Sequence, residues 1–271
     1  MQKRIAILYD FDYTLSKGYM QSFGLAKSLG FDNVYDYFAD NDSVCEDPQM
    51  DVCLALLGGL LIRAKEKNIK VTREYLNAFG KNIEYYDGVP EWFDKINEIG
   101  KKLGYTIEHY VVSSGMKEII EGTSIAKNFK RIYACCYAYK DGVAFWPSQI
   151  VNYTSKTQYI YRIRKNALDD LKSLKKINKK FSDEKVLDFK NIIYIGDSET
   201  DIPSFKVIKN SGGLSICVYE KGNEKARKVA NKCLLEGRIN WYTPADYSEG
   251  SELYNLIKDY IENIANNQCQ N

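Results

Sequence analysis

Four short runs in this chain are apolar on both faces of an extended backbone: "IAIL" (5–8), "YVV" (110–112), "IIYI" (192–195) and "LSICV" (214–218). A strand with one wet face alternates apolar and polar residues, so a strand that does not alternate must be covered on both sides. A parallel sheet meets that demand, because its crossover connections lay helices over each face. Helical patterns fill the intervals. Residues 90–103 open at Pro90, which suits a first helical turn. Residues 251–264 place Leu253, Leu256, Ile257, Tyr260, Ile261 and Ile264 at helical spacing. The expected class is α/β, with a doubly wound parallel sheet.

Two segments interrupt the alternation. Residues 16–85 carry helical patterns and no core strand, and "DPQMDVCLALLGGLLIRAKEKN" offers Asp47 as N-cap with Pro48 at the first helical position. This block reads as a helical cap inserted into a discontinuous core of residues 1–15 and 86–271. The second is "IYACCYAYKDGVAFW" (132–146), whose central Asp141-Gly142 signals a β-hairpin leaning on the sheet edge.

Composition removes several classes of function. With 38 basic and 36 acidic residues the net charge is +2, which gives no general attraction to nucleic acid or anionic membrane. The longest apolar stretch, "LALLGGLLI" (54–62), is half the length of a membrane span, and the start of the chain lacks a signal-peptide core. Seven cysteines without a C-x-x-C pair show no zinc motif or disulfide framework, and reduced thiols in the cytoplasm are the expectation. The one histidine, His109, rules out a multi-histidine metal site, and its place before "YVV" suggests a structural or surface role.

The chemistry is carried by "DFDYT" (10–14), "SSG" (113–115), "SKT" (155–157) and "GDSETD" (196–201). Three of the four follow an apolar run. The carboxyl ends of parallel strands share one edge, where α/β proteins build ligand sites. Without histidine or cysteine in the set, the nucleophile is a carboxylate or a hydroxyl. A carboxylate can attack phosphorus and form an acyl phosphate, provided positive charge offsets the repulsion between anions. Asp197 with Asp10 can hold Mg2+, Lys156 adds a second positive charge, and Ser113 donates a hydrogen bond to a phosphoryl oxygen. A helix opening after Ser114 and Gly115 would add backbone donors. Asp10 and Asp12, two apart on extended chain, point toward one pocket. One attacks; the other, Asp12, protonates the leaving oxygen and then activates water. That role needs a raised pKa, for which the carboxylate of Asp10 is the expected cause.

The set resembles the haloacid dehalogenase (HAD) superfamily, specifically its phosphatases. Their order is D-x-D-x-T, a strand ending in Ser or Thr, a Lys, then G-D-x-x-x-D; here these are Asp10-Phe11-Asp12-Tyr13-Thr14, Ser113, Lys156, and Gly196-Asp197 with Asp201. The block between the first two motifs is similar to the cap of the phosphoserine-phosphatase-like branch. The resemblance implies a Rossmann-like core with Asp10 as nucleophile and Asp12 as acid/base. It implies Mg2+ bound by the Asp10 side chain, the Asp12 backbone carbonyl and Asp197, with Asp201 supporting Asp197. Ser113, Ser114, Gly115 and Lys156 would hold the phosphoryl group. Asp12 favours phosphate chemistry over carbon–halogen cleavage.

The leading expectation is a Mg2+-dependent phosphatase acting on a small phosphorylated metabolite, with a phosphotransferase or a non-catalytic phospho-ligand-binding protein as alternatives. Lys140, beside the hairpin turn, is a rival to Lys156. About 40 residues separate Lys156 from Asp197, and the basic segment 162–190 that fills much of this gap is the only motive for a nucleotide or nucleic-acid-end substrate. Asp169 and Asp170 interrupt it, and no aromatic ladder accompanies it. Polar candidates in the cap are Gln21, Glu46 and Arg63. Nothing in the sequence sets the oligomeric state.

Overall fold

The computed structural model describes residues 3–44, 47, 49–169, 171, 177–178 and 186–268. The apolar run at the start becomes β1 (Lys3–Tyr9), in which Ile5 to Tyr9 are wholly buried. Its partners are β2 (Tyr105–Met116) on one side and β5 (Ile192–Gly196) on the other, both parallel, with Leu8 opposite Tyr110 and Tyr194. β6 (Leu214–Tyr219) and β7 (Trp241–Pro244) continue the sheet beyond β5 in parallel. β3 (Phe129–Lys140) lies parallel to β2. β4 (Val143–Gln149) closes that edge antiparallel. The order is β4-β3-β2-β1-β5-β6-β7, so the chain winds outward from β1 in both directions. The doubly wound α/β expectation holds, and the direction of winding switches at β1, beside β2 and β5.

Between β1 and β2 the described residues form helices joined by turns. α1 (Leu25–Ser28) follows a 3-10 turn at Met20–Ser22, then come α2 (Val34–Val44), α3 (Val52–Glu66), α4 (Arg73–Gly80) and α5 (Val89–Lys102). The N-cap of α3 is Asp51, which accepts from the backbone N–H groups of Cys53 and Leu54. The expected cap, Asp47, instead accepts from Gln49 N in the preceding turn. Two aspartates precede this helix, and the one nearer the apolar run caps it. Pro48 lies outside the described residues. α5 starts one residue ahead of Pro90, as its first-turn signal requires.

The helical stretch is fastened to the sheet edge. Tyr137 on β3 donates from its hydroxyl to Leu57 O of α3 (2.7 Å), and Ala144 N of β4 donates to Val71 O (2.8 Å). α4 meets α6 (Lys117–Glu121) backbone to backbone, and a Cβ on Gly80 would fall 2.3 Å from Ile119 O. The hairpin turn has φ of 51° at Asp141 and 78° at Gly142, the positive pair that a tight two-residue hairpin needs. The hairpin does not lean on the sheet: β3 is a member of it. α7 (Lys156–Arg164), α8 (Ile202–Asn210), α9 (Glu224–Leu235) and α10 (Glu252–Gln268) complete the layers. Among the described residues no helix is long and apolar enough to cross a membrane.

His109 is buried in β2, opposite Ile7 of β1. Trp92 Nε1 donates to the Tyr9 hydroxyl (2.8 Å), which leaves that hydroxyl to donate to His109 Nδ1 (2.9 Å), and Nε2 faces Asn97 Oδ1 (3.1 Å). The chain of donors assigns the neutral Nε2–H form, and burial pushes the imidazole pKa down to about 3. The structural role expected for this histidine is the one it has.

Candidate active site

β1 ends at Tyr9, but Asp10 keeps the sheet pairing through its N–H to Ile195 O (2.9 Å). The chain then turns sharply. Phe11 O accepts from the N–H groups of Thr14, Leu15 and Ser16, and Tyr13 takes φ of 54°. A non-glycine residue in that region is uncommon, and such strain concentrates at functional loops. The turn sets Asp10 at the carboxyl end of β1 and Asp12 just beyond it. Asp12 Oδ1 accepts from Met20 N (3.0 Å) at the first turn of the helical stretch.

Four segments distant in sequence meet here. Lys156, at the start of α7, is fully buried, with its ammonium 2.8 Å from Asp10 Oδ2 and 2.7 Å from Asp201 Oδ1. Lys140, the rival lysine, is exposed at the end of β3 and makes no ion pair with these carboxylates among the described residues. Thr14 Oγ1 donates to Asp197 Oδ1 (3.3 Å). Asp10, Asp197 and Asp201 each bring a carboxylate oxygen within 4.8 Å of the others, a grouping that could hold a metal ion. Asp201 is already committed: Oδ1 accepts from Lys156 and from the Tyr194 hydroxyl (2.7 Å), and Oδ2 accepts from Asp197 N (3.1 Å) and Ser198 N (3.5 Å). Its work is to fix the loop that carries Asp197, which leaves Asp10 and Asp197 as the side chains with lone pairs to spare.

Charge is unbalanced at this point. Burial, in the first place, pushes the pKa of Asp10, Asp12 and Asp197 upward. For Asp10 the strongest opposing influence is Lys156. For Asp12 the carboxylate of Asp10 is the second cause, after burial, not the first as the sequence suggested. For Asp197 the neighbouring Asp201 and Asp10 follow burial. One ammonium among these carboxylates is too little positive charge, and a divalent cation would supply the rest; the donor set therefore fits Mg2+, which prefers a few carboxylates plus water and substrate oxygen.

Asp10, Asp12, Ser113, Ser114, Gly115 and Asp197 all line one cavity of about 390 Å3. Lys156 does not line it, being shielded behind Asp10. The helix expected to open after Ser114 and Gly115 begins later. β2 runs on to Met116, α6 is only five residues long, and the donors in question are taken. Gly115 N donates to Ser113 Oγ (3.1 Å) and Met116 N to Met20 Sδ (2.9 Å). Gly115 has a packing reason as well, since a Cβ there would lie 2.0 Å from Met20 Cε.

Of the three polar cap candidates, Gln21 lines the cavity and its buried Oε1 has no partner. Arg63 pairs with Asp40 and Glu66 and does not line it. Glu46 lies outside the described residues, as do Asp170 and most of 172–185 in the basic segment. The cavity wall also includes Tyr13, Tyr19, Phe38, Asp42 and Tyr153, which sequence reasoning missed.

No protein-family profile matches the chain. An uncharacterized protein of Borreliella burgdorferi is 29% identical over 295 residues, an alignment covering 95% of this chain and 96% of that one. Among solved structures, a substrate-bound phosphoserine phosphatase complex superposes with a TM-score of 0.55 at 18% identity, over 96% of this chain and 99% of the other. A probable phosphoserine phosphatase from Vibrio cholerae gives 0.57 at 12% identity, over 98% and 67%. A HAD family hydrolase from Salmonella enterica serovar Typhi gives 0.54 at 14%, over 89% and 67%. The chain has the fold of the HAD-family hydrolases and phosphoserine phosphatases.

Proposed function

We propose that the protein is a Mg2+-dependent phosphatase that hydrolyses a small phosphomonoester through an aspartyl phosphate on Asp10. The observation that supports this reading is that Asp10, Asp12 and Asp197 line one cavity, with the buried Lys156 ammonium 2.8 Å from Asp10. The Asp10 carboxylate attacks phosphorus as the bond to the alcohol oxygen breaks. Asp12, kept protonated by burial and by Asp10, gives its proton to the departing oxygen. Asp12 then takes a proton from water, whose oxygen attacks phosphorus and returns Asp10 with inorganic phosphate. Lys156 holds Asp10 in line from behind, and Ser113 faces the phosphoryl group.

Mg2+ would be held by Asp10, Asp197 and the Asp12 carbonyl, and would offset the repulsion between attacking carboxylate and phosphate. Residues 16–85 act as the cap that excludes water and reads the leaving group. The test is phosphate release from a panel of phosphomonoesters, with Mg2+ and with EDTA. Asp10→Asn should abolish turnover, and Asp12→Asn should lower it by roughly 10²–10⁴-fold. Full activity in Asp10→Asn would sink the mechanism.

A further inference from the structure

The cavity wall beyond the carboxylates is aromatic and acidic. Tyr19 stands edge-to-face with Tyr13 (centroids 4.9 Å, planes at 89°) and with Phe38 (5.1 Å, 88°). Rings set at right angles make the corner of a cage, whereas a planar ligand would need a parallel-walled slot. Tyr153 adds a fourth ring to the wall. Asp42 lines the same cavity from the last turn of α2. That turn carries no basic residue and is the negative end of the helix dipole. Among the described residues that line the cavity there is no lysine and no arginine.

Every one of these features favours positive charge on the leaving group. Aromatic faces attract alkylammonium ions through their quadrupoles, and several rings meeting at a corner are how such ions are caged. A substrate carboxylate, by contrast, finds no countercharge among the described lining residues and meets Asp42. From this we infer that the alcohol released by this site carries an alkylammonium group and no carboxylate. The inference rests on the phosphatase reading above. Its chemistry is that of a choline- or ethanolamine-type phosphate, not that of the phosphoserine in the names of its structural neighbours.

Two substrate pairs isolate the claim. Phosphoethanolamine and phosphoserine differ only by a carboxylate. Phosphocholine and 3,3-dimethylbutyl phosphate differ only by the positive charge. With Mg2+, kcat/KM should favour the first member of each pair at least tenfold, and whichever of phosphocholine and phosphoethanolamine is faster identifies quaternary or primary ammonium as the group read. In Asp42→Asn and Phe38→Leu the phosphocholine to dimethylbutyl phosphate ratio should fall toward one, through KM more than kcat. Turnover of 4-nitrophenyl phosphate with neither preference overturns the ammonium inference and leaves the phosphatase standing. Turnover of phosphoserine as fast as phosphoethanolamine does the same. No turnover of any ester, 4-nitrophenyl phosphate included, removes both.

Discussion

Acidification should cost this protein stability through His109, and the size of the loss can be worked from its surroundings. In the fold the imidazole is neutral: Tyr9 donates to Nδ1, and burial holds the pKa at about 3. In the unfolded chain it titrates at about 6.5. Below that value the unfolded state binds a proton that the folded state refuses, so stability rises with pH between about 3 and 6.5 and falls as pH drops through that window. The full difference is about 5 kcal/mol, and about 2 kcal/mol of it is lost between pH 7.5 and pH 5. The raised carboxylates of the site act in the opposite sense, since the fold binds their protons more readily. Comparison with His109→Gln cancels them. Urea unfolding midpoints measured from pH 7.5 to 5 should show the wild type losing about 2 kcal/mol more than the variant. A gap between the two proteins that stays constant within about 0.5 kcal/mol across that range would refute the neutral, donor-locked histidine.

Lys156→Met should destabilise by about 3–5 kcal/mol, read as a fall in the denaturant midpoint, because it strands the buried carboxylates of Asp10 and Asp201; a loss under about 1 kcal/mol would contradict the ion-pair geometry. The adjacent glycines of α3 should respond with opposite signs in thermal melts. Gly58→Ala has open space around the new Cβ and should gain about 0.5–1 kcal/mol from helix propensity. Gly59→Ala would place its Cβ 1.7 Å from Asn41 Oδ1 and should lose stability, by roughly 1–3 kcal/mol. Saturating Mg2+ should raise the melting temperature of the wild type, by an amount equivalent to about 2.7 kcal/mol at a hundredfold excess over Kd, and EDTA or Asp197→Asn should remove the shift.

The central sheet was legible because β1, β2, β5 and β6 are buried on both faces, and that burial writes itself into sequence as unbroken apolar runs. β7 was not: it is four residues at the sheet edge with one buried side chain, Thr243, and such a strand leaves no pattern. The candidate residues were legible as spaced motifs, three of the four at strand ends that share the sheet's carboxyl edge, with Lys156 reaching the same place from the start of α7. What those residues do to one another was less so. The spacing of Asp10 and Asp12 pointed to mutual repulsion, while the folded site shows that loss of water matters more for Asp12. The aromatic wall was invisible for a different reason. Tyr13, Tyr19, Phe38 and Tyr153 come from loops and a helix with separate periodicities; α2 packed on the loop after β1 joins the first three, and the loop before α7 brings Tyr153 to the same cavity.

The position of β1 also has a consequence in time. Its two neighbours lie far downstream, at Tyr105 and at Ile192. At about 5–20 residues per second of synthesis, the interval between Ala6 and Ile192 takes roughly 10–40 s. Through that interval a strand with five consecutive buried apolar residues has an open edge, the kind of template on which strands from other molecules pair. The run is bracketed by Lys3 and Arg4 before it and by Asp10 and Asp12 after it. Charges in those places discourage such pairing. On the nascent chain, then, Asp10 and Asp12 stand as flanking charges of an unpaired strand long before β5 exists to cover its edge.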